Sequence, residues 1–288
     1  MKVLELLFIT MRPSRWWRAG VIALPLLFCG DVLNIVLILK ILVAMIIFIL
    51  LTGSINIIDD IVDIETDKKD LIKRTLPIAS GDISVNKAEF GILMILIGAF
   101  VSAFFLGPYF GMVSVAYFFV CLSYFLFLKK HFILDSLAIG AETSLIIVAG
   151  TIAIAKPIAS WLLVFAVLLS MLVVFCERKR VVLIGGLKEE KPVLPEGYDD
   201  KVIDQLINLT TPLVLVVYTL FSLIGPEGIK YNLFYTTPFV IYGVYRIFYL
   251  TYNVRSDKSL EKQILSDQPL WADIAIWVVL VAVLMRVF

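Results

Sequence analysis

The run Ile41-Leu42-Val43-Ala44-Met45-Ile46-Ile47-Phe48-Ile49-Leu50-Leu51-Thr52-Gly53-Ser54-Ile55-Asn56-Ile57-Ile58 passes without a break into Asp59-Asp60-Ile61-Val62-Asp63-Ile64-Glu65-Thr66-Asp67. An uncharged apolar stretch of about 18 residues reads as a helix that crosses a bilayer. It is continuous rather than alternating, which favours helices over a barrel. Similar runs recur on both sides. The sequence predicts spans near residues 18 to 38, 40 to 58, 87 to 107, 110 to 128, 132 to 154, 158 to 176, 205 to 225, 232 to 252 and 269 to 287. Pro25, Gly30 and Asp31 interrupt the first of these and mark it as a short or broken helix. The expected architecture is an all-α integral membrane bundle of about nine transmembrane helices, formed by residues 1–288 as a single domain.

Composition agrees. Hydrophobic residues make up 61% of the chain and charged residues 17%, with a mean hydropathy of +0.99, which excludes an ordinary soluble domain. Cys29, Cys121 and Cys176 lie in or beside apolar runs without metal-ligand spacing and read as packing residues. Residues 1–10 carry Lys2 and Glu5 and no small-residue cleavage pattern follows, so a cleaved signal peptide is not expected. A net charge of +1 gives no reason to expect a nucleic-acid partner.

The positions of the cations set the orientation, because cytoplasmic loops collect Lys and Arg. With the N-terminus inside, the cytoplasmic segments hold every one of the 25 basic residues except Lys40, Lys156, Lys230 and Arg286. The long loops, near residues 59 to 86, 177 to 204 and 253 to 268, fall on that same side. The polar chemistry is therefore expected at the cytoplasmic face of the inner membrane.

If the helix continues through the acidic stretch, Asp59, Asp60, Asp63 and Asp67 share a stripe about 100° wide, whereas Glu65 points elsewhere. At about 6 Å and an effective dielectric of about 20, each ionised pair costs on the order of 2 to 3 kcal/mol. A divalent cation removes that cost. Mg²⁺ is held by one or two carboxylates together with phosphates and water, so the stripe suits a magnesium–diphosphate unit; a solvated helix end is the alternative. Lys73 and Arg74 follow, ahead of the turn-forming Pro77 and Gly81, and can neutralise remaining phosphate charge.

At these residues the chain resembles the UbiA superfamily of intramembrane prenyltransferases, whose first motif N-D-x-x-D-x-x-x-D is met by Asp60, Asp63 and Asp67, with Asp59 in place of the Asn. Within it, the chain is most similar to the polyprenyl-phosphate (decaprenyl-phosphate) phosphoribosyltransferases. That subgroup's pattern is met by Glu65 and by Lys73, Arg74, Pro77, Ile78, Ala79, Ser80 and Gly81. The similarity extends to Arg12, Pro13 and Trp16, to Asp135, Ala149 and Gly150, to Pro192, Val193, Leu194 and Tyr198, and to Asp204, Gln205, Tyr245, Arg246 and Asp267 through Leu270. Leu76 and Ile146 stand where the subgroup carries Arg, Asp70 and Leu71 replace His-Pro, and Ala19 replaces an Asn.

The resemblance implies a Mg²⁺-dependent transferase with Asp60, Asp63 and Asp67 as metal-binding and catalytic residues. Asp59, Glu65, Lys73, Arg74, Arg178, Lys179, Arg12 and Arg18 are its candidate substrate contacts; an interfacial anchoring role for Arg12, Trp16 and Arg18 stays open. Aromatic prenyltransferases of the superfamily place a second Asp-rich motif after the sixth span. Here that place reads Glu177-Arg178-Lys179-Arg180, which favours phosphoribosyl transfer from phosphoribosyl diphosphate to a polyprenyl phosphate. Asp200 and Asp204 keep open the alternative, prenyl transfer from a prenyl diphosphate to an aromatic or lipid acceptor. An ion-coupled transporter is the remote alternative, because the acids sit at a helix end and no internal repeat is visible. Expected partners are the polyprenyl lipid, the diphosphate and membrane lipids, and a homo-oligomer is compatible with the sequence. His131 reads as an interfacial residue, and Glu142, inside a span, is expected to face the bundle interior.

Overall fold

In the computed structural model, residues 3–68, 75–157, 160–188, 194–195, 197–254 and 259–287 are described. The described residues are helical with short connections. In chain order the helices are α1 (Val3–Thr10), a 3₁₀ helix (Pro13–Ala23), α2 (Leu24–Phe28), α3 (Ile35–Val62), α4 (Ile64–Asp67), α5 (Val85–Leu106), α6 (Pro108–Leu126), α7 (Leu134–Ala153), α8 (Ser160–Lys188), α9 (Asp200–Ile224), α10 (Pro226–Tyr231), α11 (Thr237–Tyr252), α12 (Leu260–Ser266) and α13 (Gln268–Val287). Short 3₁₀ turns at Leu128–Lys130 and Leu233–Thr236 complete them.

Among the described residues seven helices, α3, α5, α6, α7, α8, α9 and α13, are long and apolar enough to cross a membrane. The other two expected spans are not single long α-helices. Residues 18 to 38 do not form one helix: the 3₁₀ helix gives way to the five-residue α2, and Gly30 at φ +76 turns the chain before Asn34 starts α3. Pro25 sits near the start of α2, where a missing N–H leaves no helical bond unmade. The second, expected over residues 232 to 252, begins as the 3₁₀ turn Leu233–Thr236 and runs directly into α11, whose 16 residues alone rise about 24 Å of a hydrocarbon core about 30 Å thick.

The chain divides into two compact units. The first comprises Met1–Leu26, Leu33–Leu126 and Leu145–Pro157, and the second Leu27–Val32, Phe127–Ser144 and Ile158–Phe288. In the first, α3 packs on α5, α6, α1 and the 3₁₀ helix. Its core joins Leu6, Leu7, Met11, Ile57, Ala88 and Ile92 to Ile78 and Ile83 of the α4–α5 connection. In the second, α8 packs on α9 and α11, and α11 on α13; Phe175, Ile203, Ile207, Val244 and Leu260 lie at the centre.

The outward faces are apolar. Ile35, Leu39, Leu42 and Ile46 on α3, and Phe90, Leu93, Met94, Ile97 and Val101 on α5, are exposed stripes that water would penalise and lipid accepts. Inside the helices, hydroxyls return to their own backbone: Thr52 Oγ1 donates to Phe48 O, Ser54 Oγ to Leu50 O and Ser114 Oγ to Phe110 O. This satisfies polar groups without water, as a bilayer requires.

Candidate active site

The acidic stripe grows from the end of α3. Asn34 starts that helix by accepting from Val36 N and Leu37 N, and 28 residues later it ends at Val62. Asp63 N still donates to Asp59 O at 2.9 Å, and Asp67 N to Asp63 O at 2.8 Å, so α4 carries the helical path on after a local break. Asp60 and Asp67 are buried, with 2% and 3% exposure, while Asp59 and Asp63 are half-buried. Glu65 is exposed and pairs with Lys68 at 2.8 Å, pointing away from the stripe as its helical position requires.

Arg12 comes to the same place. Its Nη2 donates to Asp60 Oδ1, and its Nη1 lies 3.9 Å from Asp59 Oδ2. Asn56, one turn before Asp60, donates from Nδ2 to Met11 O at 3.2 Å and fixes the backbone that carries Arg12. Sequence reading missed Asn56, although its position four residues before Asp60 places it on the same stripe. Arg18 is exposed, with its guanidinium carbon 6.0 Å from the Trp17 ring centroid, an arrangement suited to the anchoring role. Lys73 and Arg74 lie outside the described residues. Beyond them Leu76 O accepts from Ser80 N and Pro77 O from Ile83 N, so the Pro77–Gly81 run is a folded turn held by Ile78 and Ile83 in the core.

Among the described residues no three His, Cys, Asp or Glu side chains converge to hold a metal by protein ligands alone. The stripe still fits Mg²⁺, which takes few carboxylates and completes its shell with phosphate and water. Asp60 Oδ2 is buried without a hydrogen-bond partner among the described residues, the cost of which a cation removes.

The second unit holds a separate set of ion pairs. Asp135, at the start of α7, is fully buried; its Oδ2 accepts from Arg178 Nη2 at 3.1 Å, and its Oδ1 from Tyr198 Oη at 2.6 Å and from Ser136 N at 2.8 Å. Burial, reinforced by the Asp135 carboxylate, pushes the Tyr198 hydroxyl up to about 12. Lys179 Nζ donates to Asp200 at 2.6 Å and to Asp204 at 2.7 Å, and Tyr252 Oη donates to Asp204 at 2.9 Å. Glu177 accepts from Leu260 N at 2.7 Å, and the fully buried Arg180 donates to Leu250 O at 2.6 Å. The basic run after the sixth expected span is thus built into internal ion pairs and hydrogen bonds. Its carboxylate partners lie far along the chain, out of reach of any local pattern. Ile146, in place of an Arg in the subgroup pattern, is buried in the first unit.

Comparison with known proteins identifies the context. Residues 19–266 match the UbiA prenyltransferase family. An uncharacterised protein, y4nM, of Sinorhizobium fredii is 31% identical over 55% of this chain and 31% of its own length. The decaprenyl-phosphate phosphoribosyltransferase of Mycobacterium tuberculosis is 24% identical over 58% of this chain and 57% of its own length. The chain therefore spans between about a third and somewhat over half of these curated relatives. In fold, it is similar to a UbiA homolog from Archaeoglobus fulgidus bound to DMAPP and Mg²⁺, with a TM-score of 0.71 at 16% identity over all of both chains. It is also similar to a digeranylgeranylglyceryl phosphate synthase, with a TM-score of 0.66 at 20% identity over all of both chains. A bundle of apolar helices, an aspartate stripe at the end of α3 and a match over most of the length lead to one conclusion: this chain belongs to the UbiA prenyltransferase family.

Proposed function

We propose that this membrane transferase moves the 5-phosphoribosyl group of phosphoribosyl diphosphate onto a polyprenyl phosphate, with its active site at the cytoplasmic face. The observation that carries this choice is the position of Lys179. Its ammonium bridges Asp200 and Asp204, the carboxylates that could form a second acidic motif, and supplies the positive charge that a second metal would bring. A chain whose other acidic pair is bridged by a lysine fits a single metal-bound diphosphate better than a two-metal clamp. The partial similarity to a decaprenyl-phosphate phosphoribosyltransferase supports the same donor.

Of Asp60, Asp63 and Asp67, one or two would hold the Mg²⁺ together with diphosphate oxygens, and its charge, when bound, stabilises the leaving pyrophosphate. The acceptor phosphate is already anionic, so no strong general base is required. Arg12, with Lys73 and Arg74, supplies further positive charge for the diphosphate; in the second unit Arg178, beside its Asp135 partner, is the candidate phosphate contact, while Lys179 is engaged by Asp200 and Asp204. Asp59 repeats the stripe's charge beside Asp60, whereas Glu65 pairs with Lys68 away from the stripe and Arg18 serves as an interfacial anchor beside Trp17.

The test is a paired assay. Membranes containing the protein are given Mg²⁺ with labelled phosphoribosyl diphosphate and a polyprenyl phosphate, and in parallel a prenyl diphosphate with an aromatic acid. Lipid-linked label in the first mixture is expected. Product in the second alone establishes the prenyltransferase reading instead.

A further inference from the structure

Arg12 occupies the turn between α1 and the 3₁₀ helix with φ 53 and ψ 69, a left-handed conformation that a residue with a side chain rarely adopts. Such strain persists only where the surroundings impose it, and here three contacts do so. Met11 O accepts from Asn56 Nδ2 at 3.2 Å and from Trp16 Nε1 at 3.3 Å. The Met11 side chain lies over Gly53, where an added methyl would come within 2.4 Å of Met11 Cε. Gly53, Asn56 and Asp60 succeed one another at three and four residues along one face of α3, so the helix that carries the carboxylate also holds the turn opposite it.

The braced turn aims the guanidinium at Asp60 Oδ1, with Asp59 at the looser 3.9 Å. It leaves Asp60 Oδ2 buried and without a hydrogen-bond partner among the described residues. A divalent cation on Oδ2 would stand close to the guanidinium on the same carboxylate, and two cations at that range repel. Arg12 retains 20% side-chain exposure, so it has a solvent side toward which the long side chain can turn while its backbone stays fixed.

We infer that Arg12 is the resident counter-ion of the acidic stripe: it competes with the divalent cation for Asp59 and Asp60 in the substrate-free protein and turns to the diphosphate once metal and diphosphate are bound together. The inference rests on the magnesium–diphosphate reading of the stripe and deepens it. It requires the two ligands to respond oppositely to loss of Arg12, which a merely structural arginine does not.

The experiment measures binding, not turnover. The full chain in lipid nanodiscs is titrated with Mn²⁺ alone, and then with inorganic pyrophosphate at saturating Mn²⁺, for the wild type, Arg12→Met and Arg12→Lys. Arg12→Met is expected to bind Mn²⁺ about fivefold more tightly and pyrophosphate about tenfold more weakly. Arg12→Lys, which keeps the charge and a flexible stem, stays within about threefold of wild type in both titrations and shows that the turn still folds. Unchanged or weaker Mn²⁺ binding in a folded Arg12→Met, or no Mn²⁺ binding by the wild type, overturns the inference. Failure of phosphoribosyl transfer with these binding shifts intact instead removes the donor assignment and leaves Arg12 in its role.

Discussion

Arg246 reaches from α11 to Asp267 through two hydrogen bonds of 3.0 and 2.8 Å, and Asp267 Oδ1 also accepts from Leu270 N at 2.9 Å. One carboxylate thus caps α13 and ties α11 to it. The Arg246 guanidinium, helped by the Leu270 amide, holds Asp267 below the usual carboxylate range. A lowered folded-state pKa contributes stability above the unfolded value of about 3.9, and that stability is lost as pH falls through the folded value. Asp267→Asn is expected to cost about 1 to 2 kcal/mol at neutral pH, discounted for the partly exposed arginine. Melting temperatures across the acid range should show the gap to wild type closing below about pH 4.

Tyr198 gives the opposite sign. Its hydroxyl donates to the buried Asp135 and accepts from Ile133 N at 3.3 Å. Its raised pKa makes this contribution fully present below about pH 10 and lost as pH rises through about 12. Tyr198→Phe should cost about 1 to 2 kcal/mol at neutral pH, with the difference from wild type shrinking in alkaline melts.

Gly150 tests the packing of the first unit. A Cβ there would lie 2.3 Å from Ile22 O, a backbone atom that cannot step aside. Gly150→Ala should cost about 1 to 3 kcal/mol despite the better helix propensity of alanine. At Gly98 of α5 nothing lies within 4 Å of the added carbon. Gly98→Ala should therefore gain about 0.5 to 1 kcal/mol in the same unfolding measurement.

The two acidic groups should separate in metal binding. With Lys179 already neutralising Asp200 and Asp204, Asp204→Asn is expected to leave Mn²⁺ affinity within about twofold, whereas Asp60→Asn lowers it about tenfold or more. Equilibrium titration of both variants compares them, and a large loss for Asp204→Asn would place the cation in the second unit.

Much of this was legible in the sequence, for local reasons. Continuous apolar runs name the long helices because lipid leaves the backbone no other partner, and α3, α5, α6, α7, α9 and α13 coincide with predicted spans to within several residues, whereas α8 runs on past the expected end at 176 to Lys188 and carries Glu177 to Arg180 on a helix instead of a loop. The aspartate stripe is likewise local, a matter of helical spacing. What escaped depends on contacts between distant residues. Nothing near Arg12 in sequence announces Asp60, nothing near Arg178 or Lys179 announces Asp135, Asp200 or Asp204, and Asn56 looks like one polar residue in an apolar run until Met11 O is placed against it. The break before Asn34 is announced by Pro25, Gly30 and Asp31, whereas the start of α3 at Ile35, ahead of the expected residue 40, is not.

A structure of the full chain determined with Mg²⁺ and inorganic pyrophosphate weighs the aspartate stripe directly. The cation should lie about 2.1 Å from Asp60 Oδ2, with pyrophosphate oxygens completing its shell and the Arg12 guanidinium turned toward the phosphate. Cation and pyrophosphate bound at Asp200 and Asp204, or pyrophosphate bound while Asp60 holds only Arg12, would contradict it.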